Sequence, residues 1–440
     1  MGFVLLRIVV ILVLGFSSPV MAGVQQSLQS MIDGAKEGEI IQPPAGVYKE
    51  AIKITKPIVL DGRGKVTIDA GGKGTVINIV SDGVTVKGMR IIGSGDQHND
   101  IDAGVHIKGN YNVIKDNVIS ECLFGVDLEQ ASNNIVRRNK ISSKADTGLG
   151  IKGDAIRLWY SFKNRIENNY IRNSRDFVIW YSNDNRIANN DIANGRYGLH
   201  FMYAKYNLVE NNSISKNAVG IFLMYSDGVV VRNNRLFQAQ GNAGVGIGLK
   251  ESSSVKILNN KILYNSRGIS LDLSPFDPDT TNEIYGNEIS FNNIGMSFLS
   301  DWKGNVIKGN KFKSNILPVT VSSFASAKRN IWEGNYWGGY EGFDLDKDGI
   351  GDTPFTLKIY SDRLWLDKPG AAFFQGTAVL SLLDFLERLA PFTSPLIMLV
   401  DKKPRMNEQF VAVVPEVNSI DRNQGNEQTK RIDPFGLTKD

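Results

Sequence analysis

The chain has 440 residues, charged side chains at 22% of positions and a formal net charge of only +4. No concentrated Lys/Arg stripe runs through it, which argues against nucleic acid as a partner and leaves bulk electrostatics uninformative about any other. The single cysteine, Cys122, excludes an intramolecular disulfide and, next to an apolar run, reads as a buried core residue.

Residues 1–22 read as a secretory signal. Arg7 precedes the apolar run Ile8 to Phe16, and Ser18-Pro-Val-Met-Ala22 ends in small residues that place the cut between Ala22 and Gly23. The run is shorter than the roughly 20 residues a membrane span needs, an uncleaved anchor being the alternative. The mature protein is therefore expected outside the cytoplasm. Residues 23–75 form an N-terminal cap and first coils: Leu28, Met31 and Ile32 suit a short amphipathic helix, and Ile52-Lys-Ile, Ile58-Val-Leu and Val66-Thr-Ile suit strands. A solenoid needs such a cap, because its first coil otherwise exposes core and unpaired strand edges.

Residues 76–340 carry the repeat. Asparagine recurs at Asn117, Asn139, Asn169, Asn190, Asn212, Asn234, Asn260, Asn287, Asn310 and Asn335, with gaps of 22, 30, 21, 22, 22, 26, 27, 23 and 25 residues. One coil is thus about 22 residues, and the longer gaps mark insertions at 142–152, 237–244 and 274–281. Short alternating runs at this period predict an all-β, right-handed, single-stranded parallel β-helix. Asparagine suits the corners because it tolerates a left-handed backbone, and stacked amides bond coil to coil.

Four phrases, AIRLWYS, DFVIWYS, GLHFMYA and GIFLMYS, align Trp159, Trp180, Met202 and Met224 in one column and Tyr160, Tyr181, Tyr203 and Tyr225 in the next. Strand parity puts the first column level with Glu129, and the column His106, Asp127, Arg157, Val178, His200, Phe222 beside it. Burying unpaired carboxylates is costly, so both columns are expected to face outward. The result is an apolar patch rimmed by Lys108, Asp127, Glu129 and Arg157, expected to bind a partner through Arg157, Trp159, Val178, Trp180, His200, Met202, Phe222 and Met224. Cover by other parts of the chain is the alternative.

Residues 341–368 contain Asp344, Asp346, Asp348, Gly349 and Asp352 at calcium-loop spacing, but Phe355 stands where an EF-hand has its bidentate glutamate. Structural Ca²⁺ and a hydrogen-bonded acidic turn both fit. Residues 369–400 form an amphipathic capping or docking segment, with Leu380, Leu383 and Leu386 on one helical stripe, and 401–440 a polar, flexible tail.

Asp127, Glu129, Asp176, Asp272, Asp277 and Asp279 are available for glycan chemistry, but the repeat displays no convergent acid, base and cation on successive coils. No catalytic residue is expected, and the chain is read as a non-enzyme, with polysaccharide binding or modification as the alternative. Soft sulfur and imidazole at His200, Met202 and Met224 suit transient Cu(I), whereas His106, four coils away or about 20 Å, cannot join them.

The ordered set of signal segment, Gln-Pro-Pro-Ala-Gly-Val-Tyr48 cap, Asn-rich body, His-Phe-Met-Tyr203 and Phe-Leu-Met-Tyr225 rungs, Asn335-Tyr-Trp-Gly338, the Asp344 to Asp352 loop and Pro395-Leu-Ile-Met-Leu399 resembles the NosD family of periplasmic maturation factors. That resemblance implies work beside an ABC-type ATPase and its membrane permease, with a copper chaperone, in building the copper-sulfide centre of nitrous oxide reductase. It implies a periplasmic location at the inner membrane, held there by partner proteins. The chain has no Walker A motif and so needs no nucleotide of its own.

Overall fold

In the computed structural model, residues 26–145, 147–322, 326–359, 377–389 and 396–408 are described. The signal segment and residues beyond 408 lie outside the described residues. Each coil sends one strand to a 12-stranded parallel sheet and two short strands to a 24-stranded one, giving the expected parallel β-solenoid. Inward residues alternate with outward ones: Val126, Leu128, Ile156, Leu158, Ile179, Phe201, Ile221 and Leu223 are buried in one continuous core. Glycines admit neighbouring coils closely. A Cβ on Gly220 would stand 2.4 Å from the carbonyl oxygen of Gly246, so any side chain there forces the coils apart.

The asparagine column is a hydrogen-bonded spine. From Asn117 to Asn335, each backbone N–H donates to the Oδ1 of the next asparagine at 2.8 to 3.1 Å. The marker asparagines are not the left-handed residues, which corrects the expected reason for them. Positive φ falls one position earlier, at Asp116, Arg138, Asn168, Asn189, Asn211, Asn233, Asn259, Gly286, Gly309 and Gly334. The preceding residue makes the corner, and the buried asparagine then satisfies backbone groups that water cannot reach.

Both ends of the solenoid are closed. The helix Leu28–Gly34 buries Leu28 and Ile32, and the carboxylate of Glu50 accepts from the N–H of Leu28 at 2.7 Å. At the other end, strand Leu396–Asp401 pairs antiparallel with Phe355–Ile359. The boundary expected at residue 400 falls inside this strand. Asp401, fully buried, takes the place of the next asparagine: its Oδ2 accepts from the N–H and Nδ2 of Asn335 at 3.0 and 2.9 Å and from Trp337 Nε1 at 3.1 Å. A carboxylate suits this terminus because it accepts several bonds and needs to donate none onward.

Candidate functional site

The outer surface of the 12-stranded sheet carries both expected columns. Register pairs His106 with Asp127, Asp127 with Arg157, Arg157 with Val178, Val178 with His200 and His200 with Phe222. Beside them run Glu129, Trp159, Trp180, Met202, Met224, Lys250 and Asp272. Parity is as expected, but exposure is not. Asp127, Val178, His106 and His200 are buried, and Trp159, Trp180, Met202, Met224, Arg157 and Phe222 are half-buried. Side chains one coil apart are only about 4.8 Å apart and cover each other, so facing away from the core does not mean facing water.

The first rungs are charged. Arg157 Nη1 donates to Asp127 Oδ1 at 2.8 Å, and His106 Nδ1 lies 2.8 Å from Asp127 Oδ2. The His106 contact lies outside hydrogen-bond alignment, so Oδ2 is buried with no hydrogen-bond partner. His106 Nε2 lies 3.4 Å from Glu129 Oε2, which also faces Lys108 Nζ at 3.4 Å. This places an imidazole, two carboxylates and two cations on adjacent coils, the cluster that the repeat alone did not reveal. Reading each strand separately hid it, because its members come from three successive coils, His106 and Arg157 being 51 residues apart in sequence.

The middle rungs are aromatic and soft. His200 stacks on Tyr197 with centroids 4.5 Å apart and meets Trp180 edge-on at 5.9 Å, and its Nε2 lies 3.4 Å from Met224 Sδ. His200 Nδ1 and Trp180 Nε1 are buried without hydrogen-bond partners. Burial holds the His200 pKa below the ordinary histidine value; the Asp176 carboxylate opposes this and the Arg196 guanidinium adds to it. Phe222 lies over Gly248, where a Cβ would come within 2.4 Å of its ring. Tyr197 joins this group through a register shift between Asp176 and Val178, which column counting could not locate.

Along the exposed corner, Tyr160, Tyr181, Tyr203 and Tyr225 stack at 4.9, 5.1 and 4.8 Å. All four have positive φ, a conformation costing about 1–2 kcal/mol for a non-glycine residue, which ring stacking helps to offset. At the opposite edge, Asp154 accepts from Arg175 at 3.0 Å. Burial, assisted by the Asp176 carboxylate and opposed by Arg175 and Arg157, pushes the Asp154 carboxyl up to about 7. Asp272 sits farther along the second column, and Asp277 and Asp279 lie on the 274–281 insertion.

Among the described residues, two groups could hold a metal ion: His106, Asp127 and Glu129, and Asp344, Asp346 and Asp348, each set with ligand atoms within 4.8 Å of one another. Asp352 instead accepts from the N–H of Leu345 at 2.7 Å. The helix Ala378–Leu389 exposes Val379, Leu382, Phe385, Leu386 and Leu389. Of the expected stripe, Leu386 belongs to that exposed face, while the side chains of Leu380 and Leu383 lie outside the described residues. Among the described residues, no helix is long and apolar enough to cross a membrane.

A family model described as "Periplasmic copper-binding protein (NosD)" matches residues 143–342, and one for a right-handed β-helix region matches residues 58–173. A probable ABC transporter binding protein NosD of Pseudomonas aeruginosa is 32% identical over 373 residues, 79% of this chain and 83% of the relative. Its counterpart in Stutzerimonas stutzeri is 31% identical over 374 residues, 79% of this chain and 82% of that one. Among solved structures, the A-module of the Azotobacter vinelandii mannuronan C-5 epimerase AlgE6 aligns with a TM-score of 0.55 at 16% identity, over 70% of this chain and 93% of its own. A mannuronic acid specific polysaccharide family 6 lyase from human gut microbiota aligns with a TM-score of 0.51 at 13% identity, over 71% and 86%. The family description agrees with the expected periplasmic location. The expectation of a non-enzyme does not stand: the fold is one that carries an epimerase and a lyase, and the His106 group removes the ground on which catalysis was excluded.

Proposed function

The chain belongs to the NosD family, and from that premise we propose that it serves an ABC transporter in the periplasm as a docking and copper-transfer accessory. In this reading it helps a copper chaperone supply the copper-sulfide centre of nitrous oxide reductase. The names of its relatives support association with an ABC transporter. The observation that carries the copper reading is the 3.4 Å separation of His200 Nε2 and Met224 Sδ in a half-buried aromatic setting. Two ligands bonded to one ion at about 2.0 Å for nitrogen and 2.3 Å for sulfur lie about that far apart. Imidazole and thioether suit Cu(I), with Met202 the adjacent sulfur and a partner supplying any remaining ligand. Cu(I) is here a passing cargo. Trp159, Trp180, Phe222 and Arg157 form the surrounding contact surface for the chaperone or reductase, with buried Val178 packed beneath them. The helix bearing Leu380, Leu383 and Leu386 is the proposed permease contact, and the Asp344, Asp346, Asp348 turn, with Asp352 bracing it, the proposed Ca²⁺ site.

The test is Cu(I) competition against a chromogenic chelator. His200→Ala and Met224→Ala should each weaken binding by about 10- to 100-fold, a range that even loss of an outer-sphere partner reaches. Unchanged affinity in both variants sinks the copper reading. Chaperone capture by the reconstituted permease complex, compared between the parent and Trp180→Ala/Met202→Ala, tests docking separately.

A second reading, binding or modification of an extracytoplasmic polysaccharide, is favoured by the His106, Asp127, Glu129, Lys108 and Arg157 cluster beside Trp159. An imidazole close to two carboxylates suits proton transfer, and a half-buried tryptophan suits a sugar face. Release of reducing or unsaturated ends from a panel of polysaccharides, lost in His106→Ala, checks it.

A further inference from the structure

We propose that His106, Asp127 and Glu129 form a binding site for a divalent transition cation of the zinc class, separate from the His200 and Met224 pair. The three side chains come from two neighbouring strands, Ala103–Ile107 and Phe124–Glu129, and present one nitrogen and two carboxylate oxygens within 4.8 Å of one another. Ligands of a tetrahedral ion at about 2.0–2.2 Å are roughly 3.3–3.6 Å apart, so a modest side-chain adjustment completes the set. Glu129, with a side chain 33% exposed, is free to supply that movement.

An independent observation points the same way. Asp127 is fully buried, yet its Oδ2 has no hydrogen-bond partner although His106 Nδ1 is 2.8 Å away. A buried carboxylate oxygen left so is costly, and an ion between it and the imidazole would satisfy it once the 2.8 Å separation opens to ligand spacing. Arg157 occupies only Oδ1 and fixes the carboxylate without blocking Oδ2.

Charge sets a condition on the site. The cations of Lys108 and Arg157 balance Asp127 and Glu129, so an entering ion must displace one of them. Lys108 is the one that can leave, since its side chain is 51% exposed and reaches Glu129 only at 3.4 Å. The imidazole disfavours Ca²⁺ and Mg²⁺, which take oxygen ligands, and the absence of sulfur disfavours Cu(I). Three protein ligands leave a fourth position on the Glu129 side, open to solvent. A bound ion would hold a water there, as open zinc sites do and closed structural ones do not.

The experiment titrates ZnCl₂ into the mature chain by calorimetry, in an Asp346→Asn/Asp348→Asn background that removes the other carboxylate group. One zinc per chain is expected. His106→Ala should weaken it by about 10- to 100-fold, and Glu129→Gln should act in the same direction. Glu129→Gln is the variant that guards against a folding defect, because Glu129 lies at the surface, and circular dichroism confirms the fold of both. His200→Ala should leave zinc binding intact while losing Cu(I), which keeps this site's failure distinct from failure of the copper reading. Zinc affinity unchanged in both His106→Ala and Glu129→Gln, no zinc uptake by the folded parent, or displacement of zinc by equimolar calcium would each overturn the proposal.

Discussion

The first rungs of the outer face and the rungs that follow them share one sheet, one register and one outward direction, yet they solve burial oppositely. Around His106 the side chains are ionic, and Arg157 and Lys108 neutralise Asp127 and Glu129. Beside His200 the column neighbours Trp180, Met202, Phe222 and Met224 are uncharged and polarisable, and two nitrogens, His200 Nδ1 and Trp180 Nε1, are left without hydrogen-bond partners. The comparison teaches that a β-helix column is a neutral scaffold. What it can hold is decided by which side chains the stacking makes adjacent, and hard and soft chemistry can occupy successive stretches of one column.

The largest expected effect comes from breaking the ionic stretch. Arg157→Ala leaves Asp127 buried beside His106 without its guanidinium, and removing one member of a buried ion pair costs about 3–5 kcal/mol. Denaturant unfolding measures this loss; a change under about 1 kcal/mol would mean that the pair behaves as a surface bridge. The soft stretch should respond differently. Met224→Leu conserves volume and should cost less than about 1.5 kcal/mol, while Cu(I) affinity falls as in Met224→Ala. Equal Cu(I) affinity in Met224→Leu and the parent would mean that sulfur is only packing there.

The smallest effects are in pH dependence, where Asp154 at the sheet edge and His200 in the column pull in opposite directions. Asp154 has a folded-state pKa raised to about 7 from 3.8. Its protonated form is favoured by folding, so its contribution is present below pH 3.8 and is lost as pH rises through 7. Asp154→Asn should flatten that decline between about pH 4 and 7 in denaturant midpoints. His200 is shifted below 6.5, so its contribution is full above pH 6.5 and falls as pH drops toward its lower folded value. His200→Phe should remove that acid-side slope, and an unchanged slope would place the titration elsewhere.

Much of this architecture was legible in the residues. The asparagine spacing gave the coil length, and the aligned phrases gave columns that the strand register reproduces from Asp127 to Met224. The site was less legible. Lys108, His106, Asp127, Glu129 and Arg157 were each placed on the correct face, but their convergence was missed because periodicity gives position along a column and not the reach of a side chain. Tyr197 escaped through a register shift, and Asp154 through its place at a strand edge outside the two columns. The tail boundary at 400 similarly hid Asp401, whose role as the last acceptor of the asparagine spine depends on a strand returning from 66 residues away.

The sequence by itself determined the solenoid, its period and which residues face out, because those follow from local alternation and a repeat that no single coil could bury alone. Only the tertiary structure decided which outward residues are shielded from water, which polar atoms lack partners, and which charges meet. Those properties depend on packing between coils, where neighbours in space are 20 or more residues apart in the chain. The His106 and His200 stretches obey the same repeat, and their difference exists only once the coils are stacked.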